Sequence, residues 1–211
     1  MSELINQFKS LYSSLIPIFI VSLIILGLLL GIHFYEEVSI EVLTNDIAVL
    51  GELPIYAGIL SQIGLFLWSA TAAICLYSLT FINDKAHKSF IIASVCITIF
   101  LGIDDAFMLH EDVLPSLGIH QKVVFLGYGM LMIFYLFRYY KLILTTDFIL
   151  FTLALGWFGL SMFIDNFIRD VSPYITKLAE DGTKFIGITT WLFYFTRTCK
   201  RFQENNTLKT T

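Results

Sequence analysis

Apolar stretches close to twenty residues long recur along the whole chain, at about 12–33, 56–82, 89–110, 121–141, 147–168 and 174–197. Each is long enough to cross the roughly 30 Å hydrocarbon core of a bilayer as an α-helix. Alternation in runs of about ten residues, the mark of a membrane β-barrel, is absent from the pattern. The pattern predicts an all-α polytopic membrane protein: a bundle of about six transmembrane helices in one domain over residues 1–211. The first stretch exceeds the 7–15-residue apolar core of a secretion signal, and no A-x-A-like cleavage site follows it, so it is expected to be a retained helix.

Charge placement orients this bundle. Lys9, Lys85, Lys88, Arg138, Lys141, Arg197, Lys200, Arg201 and Lys209 fall on one set of termini and loops. Only Lys122, Arg169 and Lys177 fall on the other. The positive-inside rule then places both termini in the cytoplasm. The first external loop carries Glu36, Glu37, Glu41, Asp46 and Glu52 with no Lys or Arg, which fits. A plasma membrane or a bacterial inner membrane is the expected location, and the sequon Asn205-Asn206-Thr207 is expected to stay unglycosylated on the inside. With 57% hydrophobic and 14% charged residues, against roughly 25% charged in soluble domains, composition agrees with the span pattern.

Several function classes drop out. Cys75, Cys96 and Cys199 form no C-x-x-C, so a zinc knuckle or disulfide framework is not indicated. No basic patch, phosphate loop or G-x-G-x-x-G points to nucleic acid or nucleotide. The four histidines, His33, His87, His110 and His120, offer no matched mid-span pair for haem. They also lack the H-x-x-x-H pair of the zinc-dependent membrane hydrolases of the alkaline ceramidase type.

The candidate chemistry lies in polar residues placed inside apolar spans. Asp104 and Asp105 interrupt the third span, where adjacent carboxylates are costly and call for a partner and a purpose. At about 1.5 Å rise per residue, Asp104 and Lys184 both lie roughly 20 Å above the inner boundary of the core. Asp165, Glu180 and Asp181 come out at about 25 Å, so this polar group belongs to the non-cytoplasmic side. The matched depths predict an ion pair between Lys184 and Asp104 or Asp105. A local pair of Lys184 with Glu180 or Asp181, at i,i+4 and i,i+3, is the plainer alternative.

Helical facing sets a limit on the site. Asp104 and Glu111 are seven apart and share a face, whereas His110 points more than about 100° away from Asp104. On a regular helix these two residues cannot serve one small ion, and a joint site requires a distorted helix or neighbouring helices. Gly182 and Gly187 are expected to admit a close neighbouring helix. Tyr12, Tyr56, Trp68, Tyr139, Tyr140 and Tyr174 are expected to include membrane-interface anchors.

Two main readings follow. In the first, the chain is a membrane enzyme acting on a lipid or isoprenoid. Asp104, Asp105, His110, Glu111 and Lys184 are then its catalytic group, and Asp165, Glu180, Asp181 and Trp191 contact substrate. A divalent metal on Asp105, His110 and Glu111 fits this reading through mixed carboxylate and imidazole donors. In the second, the chain is a small proton- or cation-coupled transporter or channel using Asp104, Asp105, Asp165 and Lys184. An accessory subunit of a membrane complex is a third class. The lipid bilayer is the expected partner in all three.

Overall fold

The computed structural model describes residues 2–45, 47–54, 56–168 and 173–207. Asp46, Arg169 and Lys209, whose charges helped to orient the bundle, lie outside the described residues. Every regular element among the described residues is helical. The chain divides into two compact units, Met1–Ala57 and Gly58–Thr211.

The first unit holds α1 (Ser2–Glu36) and the short helices α2 (Ile40–Thr44) and α3 (Ile47–Leu50). Within α1, Ile18–Glu36 is apolar enough to cross a membrane and buries none of its length inside the protein. Exposed side chains such as Phe19, Leu23 and Leu28 along that stretch need an apolar surrounding, which a bilayer provides.

The second unit holds α4 (Ile59–Ser78), α5 (Lys85–Phe107), a π-helical turn (Leu109–Val113), α6 (Leu114–Ser116), α7 (Gln121–Ile143), α8 (Phe148–Phe167) and α9 (Pro173–Thr207). Polar caps set the starts. Asp84 accepts from the backbone N–H groups of Ala86 and His87 at 2.9 Å to open α5. His120 accepts from Lys122 N at 3.2 Å to open α7, a structural role that leaves it out of the site.

Among the described residues, five helices are long and apolar enough to span a membrane: Ile18–Glu36, α4, α5, α7 and α8. The sixth expected span, α9, falls outside that set because Lys177, Glu180, Asp181 and Lys184 crowd its first part. α9 packs against both α4 and α8, and Ile188, Trp191, Tyr194, Phe195, Cys199 and Phe202 in its second part are buried. The charges of its first part are matched by ion pairs instead: Lys177 with Glu180 and Asp181, and Lys184 with Asp105 of α5.

Close approach is where small residues matter. A Cβ on Gly187 would stand 2.7 Å from the Phe158 ring, so α8 and α9 meet through this glycine. A Cβ on Gly102 would lie 3.2 Å from Trp68 Cβ, at the α4–α5 contact. Gly182 has nothing within 4 Å and does not take the packing role its spacing suggested. α7 is held differently. Tyr135 and Tyr139 bond Ser94 and Ser89 of α5 at 2.7 and 2.9 Å, and Gln121 reaches Asp165 of α8 at 3.3 Å. Between these ties a cavity opens.

Candidate functional site

The site begins with a break in α5. The helix stops at Phe107, short of the expected 110, because Met108 turns left-handed at φ 49° and ψ 43°. Its backbone N–H still closes the last turn onto Asp104 O. The chain then restarts as the π-helical turn, with Asp112 N and Val113 N both bonding Met108 O at 2.8 and 3.3 Å. Such turns tend to occur at functional positions, and a left-handed residue other than glycine or asparagine stores roughly 1–3 kcal/mol of strain.

The break swings His110 back over the end of α5. Its backbone N–H donates to Asp104 Oδ1 at 3.0 Å, and its ring Nδ1 lies 2.6 Å from Asp104 Oδ2. The hydroxyl of Tyr128, from α7, donates to Asp104 Oδ1 at 2.8 Å. Asp104 is 5% exposed, so this carboxylate is buried with three donors around it. The opposed facing expected for Asp104 and His110 is therefore overturned: a regular helix would separate them, and this helix is not regular.

Asp105 lies about 100° further round α5 and faces α4 and α9 instead. It forms an ion pair with the Lys184 ammonium and accepts from the Trp68 indole N–H at 3.3 Å. The matched depths of Asp105 and Lys184 thus correspond to a direct contact across helices. The local alternative belongs to another residue: Lys177 pairs with Glu180 at 3.4 Å and with Asp181 at 3.3 Å. Trp68 is 4% exposed and holds Asp105 from the interior, so it is not an interface anchor.

His110 and Glu111 lie past the end of the α5 span, with His110 Nε2 3.4 Å from Glu111 Oε1. Burial disfavours the charged imidazolium, but the hydrogen bonds to Asp104 and Glu111 outweigh it and push the His110 pKa up to about 9. The hydrogen bond from His110 outweighs the burial of Glu111 and brings that carboxyl down to about 2. At neutral pH the pair is imidazolium and carboxylate.

These groups border one cavity of about 290 Å³ in the second unit. It brings together Asp104, Asp105, His110, Glu111, Asp165, Glu180 and Lys184 from four elements. Two expected substrate contacts are elsewhere. Asp181 is turned to Lys177. Trp191 is fully buried in the core, its indole N–H bonded to Thr98 Oγ1 at 3.0 Å and its ring against Trp68 and Phe158. Asp105, His110 and Glu111 do not close on one point either, because Asp105 is committed to Lys184 and Trp68. Among the described residues no three His, Cys, Asp or Glu side chains are grouped so as to hold a metal ion.

Tyr128 and Trp68 are members of the site that the sequence reading missed. The signal for Tyr128 was a phenol between Gly127 and Gly129 inside a span, where a hydroxyl needs a partner. Trp68 carried no signal separating it from an ordinary aromatic.

The chain belongs to the family described as Domain of unknown function (DUF8692), whose model matches residues 16–198. No curated protein and no solved structure matches it.

Proposed function

We propose that this chain is an integral membrane enzyme that carries out proton-transfer chemistry on a lipid-like or isoprenoid substrate at the non-cytoplasmic side. It is one helical domain over residues 1–211, with α9 as the sixth span and both termini cytoplasmic. The Lys and Arg distribution supports that topology.

The observation that carries the reading is the Asp104–His110 hydrogen bond at the cavity wall. A carboxylate that fixes an imidazolium through Nδ1 sets its orientation, and the Nε2 proton, 3.4 Å from Glu111 Oε1, is the one available for transfer. Protonated at neutral pH, His110 is the proton donor. The Lys184 ammonium, steadied by Asp105, stabilises negative charge that develops on the substrate. Asp165 and Glu180, on the same cavity, bind the substrate's polar end.

The test is turnover of a membrane lipid extract by the purified full-length protein in nanodiscs, followed by mass spectrometry. His110→Gln and Asp104→Asn should lower turnover by roughly 10²–10⁴-fold while the protein stays folded. Asp105→Asn and Glu111→Gln should also abolish it. Turnover that persists in all four variants would rule the site out. Loss of pH-dependent flux in proteoliposomes, with no lipid consumed, would assign the same residues to transport.

A further inference from the structure

The cavity has an apolar part that the acid–base groups do not use. Besides its charged groups, the cavity is bordered by Gly129, Leu131 and Met132 of α7 and Leu155, Gly159 and Met162 of α8. Glycine inside a helix is less favourable than alanine unless something requires it. Gly102 and Gly187 are required, since a Cβ would meet Trp68 at 3.2 Å and Phe158 at 2.7 Å. Gly129 and Gly159 are not packed at all: a Cβ at either meets nothing within 4 Å. At the cavity border, a side chain there would instead project into open space.

The gap has a definite place. α7 is tied to α5 through Tyr135 and Tyr139, and to α8 through Gln121 and Asp165. Gly129 lies between Gln121 and Tyr135 on α7, and Gly159 between Asp165 and Phe151 on α8, whose ring meets that of Tyr135. The neighbouring outward side chains on both helices, Ile133, Phe134, Leu160 and Phe163, are apolar and exposed, as on a surface that meets lipid.

We infer that this cavity is a slot for a single hydrocarbon chain, which enters from the bilayer between α7 and α8 through an opening kept clear by Gly129 and Gly159. At about 290 Å³ it lies at the small end of the roughly 300–1,000 Å³ range of ligand pockets, which suits one chain and not two. The polar end that follows the chain meets five carboxylates, Asp104, Asp105, Glu111, Asp165 and Glu180, against the cations Lys184 and His110. That balance admits an uncharged or cationic head and disfavours a phosphate or a carboxylate. The inference rests on the reading of the site as lipid-directed.

The experiment uses full-length protein in nanodiscs and a hexadecanol analogue with a mid-chain diazirine and a terminal alkyne. After irradiation, adducts should map to segments 129–132 and 155–162, compete with hexadecylamine, and resist competition by palmitate. Gly129→Leu and Gly159→Leu should reduce them by roughly tenfold. Gly129→Ala and Gly159→Ala, which favour helix, should reduce them less and guard against a folding artefact. Adducts confined to outward side chains such as Phe134 and Phe137, or undiminished in the leucine variants, would overturn the slot. Labelling of the expected segments with no turnover of any lipid would sink the enzyme reading and support the slot. Turnover that survives both leucine substitutions would do the reverse.

Discussion

Asp104 and His110 meet through a 2.6 Å hydrogen bond although they are six residues apart on what reads as one continuous helix. The contact exists because Met108 is left-handed and the following turn is π-helical. Neither feature leaves a mark on hydrophobic periodicity. Together they convert two side chains on opposed faces into a carboxylate–imidazole pair at the wall of a cavity, with Tyr128 donating to the same carboxylate from a separate helix.

Met108 is therefore a positioning residue. Met108→Gly should keep the fold, since glycine adopts positive φ freely, and stability should change by less than about 1 kcal/mol. Met108→Val places a β-branched side chain where it is strained and should cost roughly 1–3 kcal/mol. If the valine variant relaxes by regularising the helix, the His110 pKa should fall back toward its ordinary value of 6.5. NMR titration of the imidazole alongside thermal melting checks both. Equal behaviour of the two variants would mean that Met108 does not hold the pair together.

The ion pair of Asp105 with Lys184 should show in a double-mutant cycle. Removing one partner of a largely buried pair leaves a charge without compensation, so Asp105→Asn or Lys184→Met alone should destabilise by about 3–5 kcal/mol. The double variant should be milder than the sum by about 1–3 kcal/mol. Asp104→Asn combined with Lys184→Met should instead be close to additive, because Asp104 answers to His110 and Tyr128. Additivity in the Asp105 cycle, or coupling in the Asp104 cycle, would contradict the assignment.

Much of this was readable from the chain. Span length and apolar run gave four of the second unit's five long helices directly, and α9 came from the same pattern although its charges dilute it. Lys184 came out level with Asp104, next to its partner Asp105, because rise per residue is nearly constant along any helix. What failed was facing. Expected angles assume 3.6 residues per turn, and one left-handed residue resets the phase for everything after it. Partner choice was also hidden. Lys177 and Lys184 both stand three or four residues from an acid on α9, and only the packing of α4 and α5 against that helix decides which one turns inward. Trp191 shares a helical stripe with Lys184, but Thr98 and the surrounding rings claim it for the core.

The two α9 glycines should respond oppositely to the same substitution. Gly187→Ala drives a methyl to within 2.7 Å of the Phe158 ring, with α8 and α9 in close contact, and should cost about 1–3 kcal/mol through overpacking. Gly182→Ala meets nothing within 4 Å and should stabilise by about 1 kcal/mol through helix propensity alone. Melting temperatures of the two variants in one detergent decide the matter. A destabilised Gly182→Ala would mean that another surface covers that position.

Stability should depend on pH with a sign set by His110 and Glu111. The folded pKa of His110, about 9, lies above its ordinary 6.5, so the folded state holds the proton more tightly than the unfolded one. Its contribution is fully present below pH 6.5 and is lost as pH rises from there through about 9. At 1.36 kcal/mol per unit the loss is on the order of 3 kcal/mol. Glu111 acts in the other direction: lowered from 4.5 to about 2, it stabilises above pH 4.5, and that contribution fades as pH falls toward 2. Its side chain is 39% exposed, so solvent screens this contribution. Melting temperature should therefore be highest between about pH 4.5 and 6.5 and decline on both sides. His110→Gln cannot change charge, so it should flatten the alkaline decline while Glu111→Gln flattens part of the acid one. An alkaline limb as steep in His110→Gln as in the parent protein would show that the proton is lost elsewhere, and that His110 is not held as the imidazolium between Asp104 and Glu111.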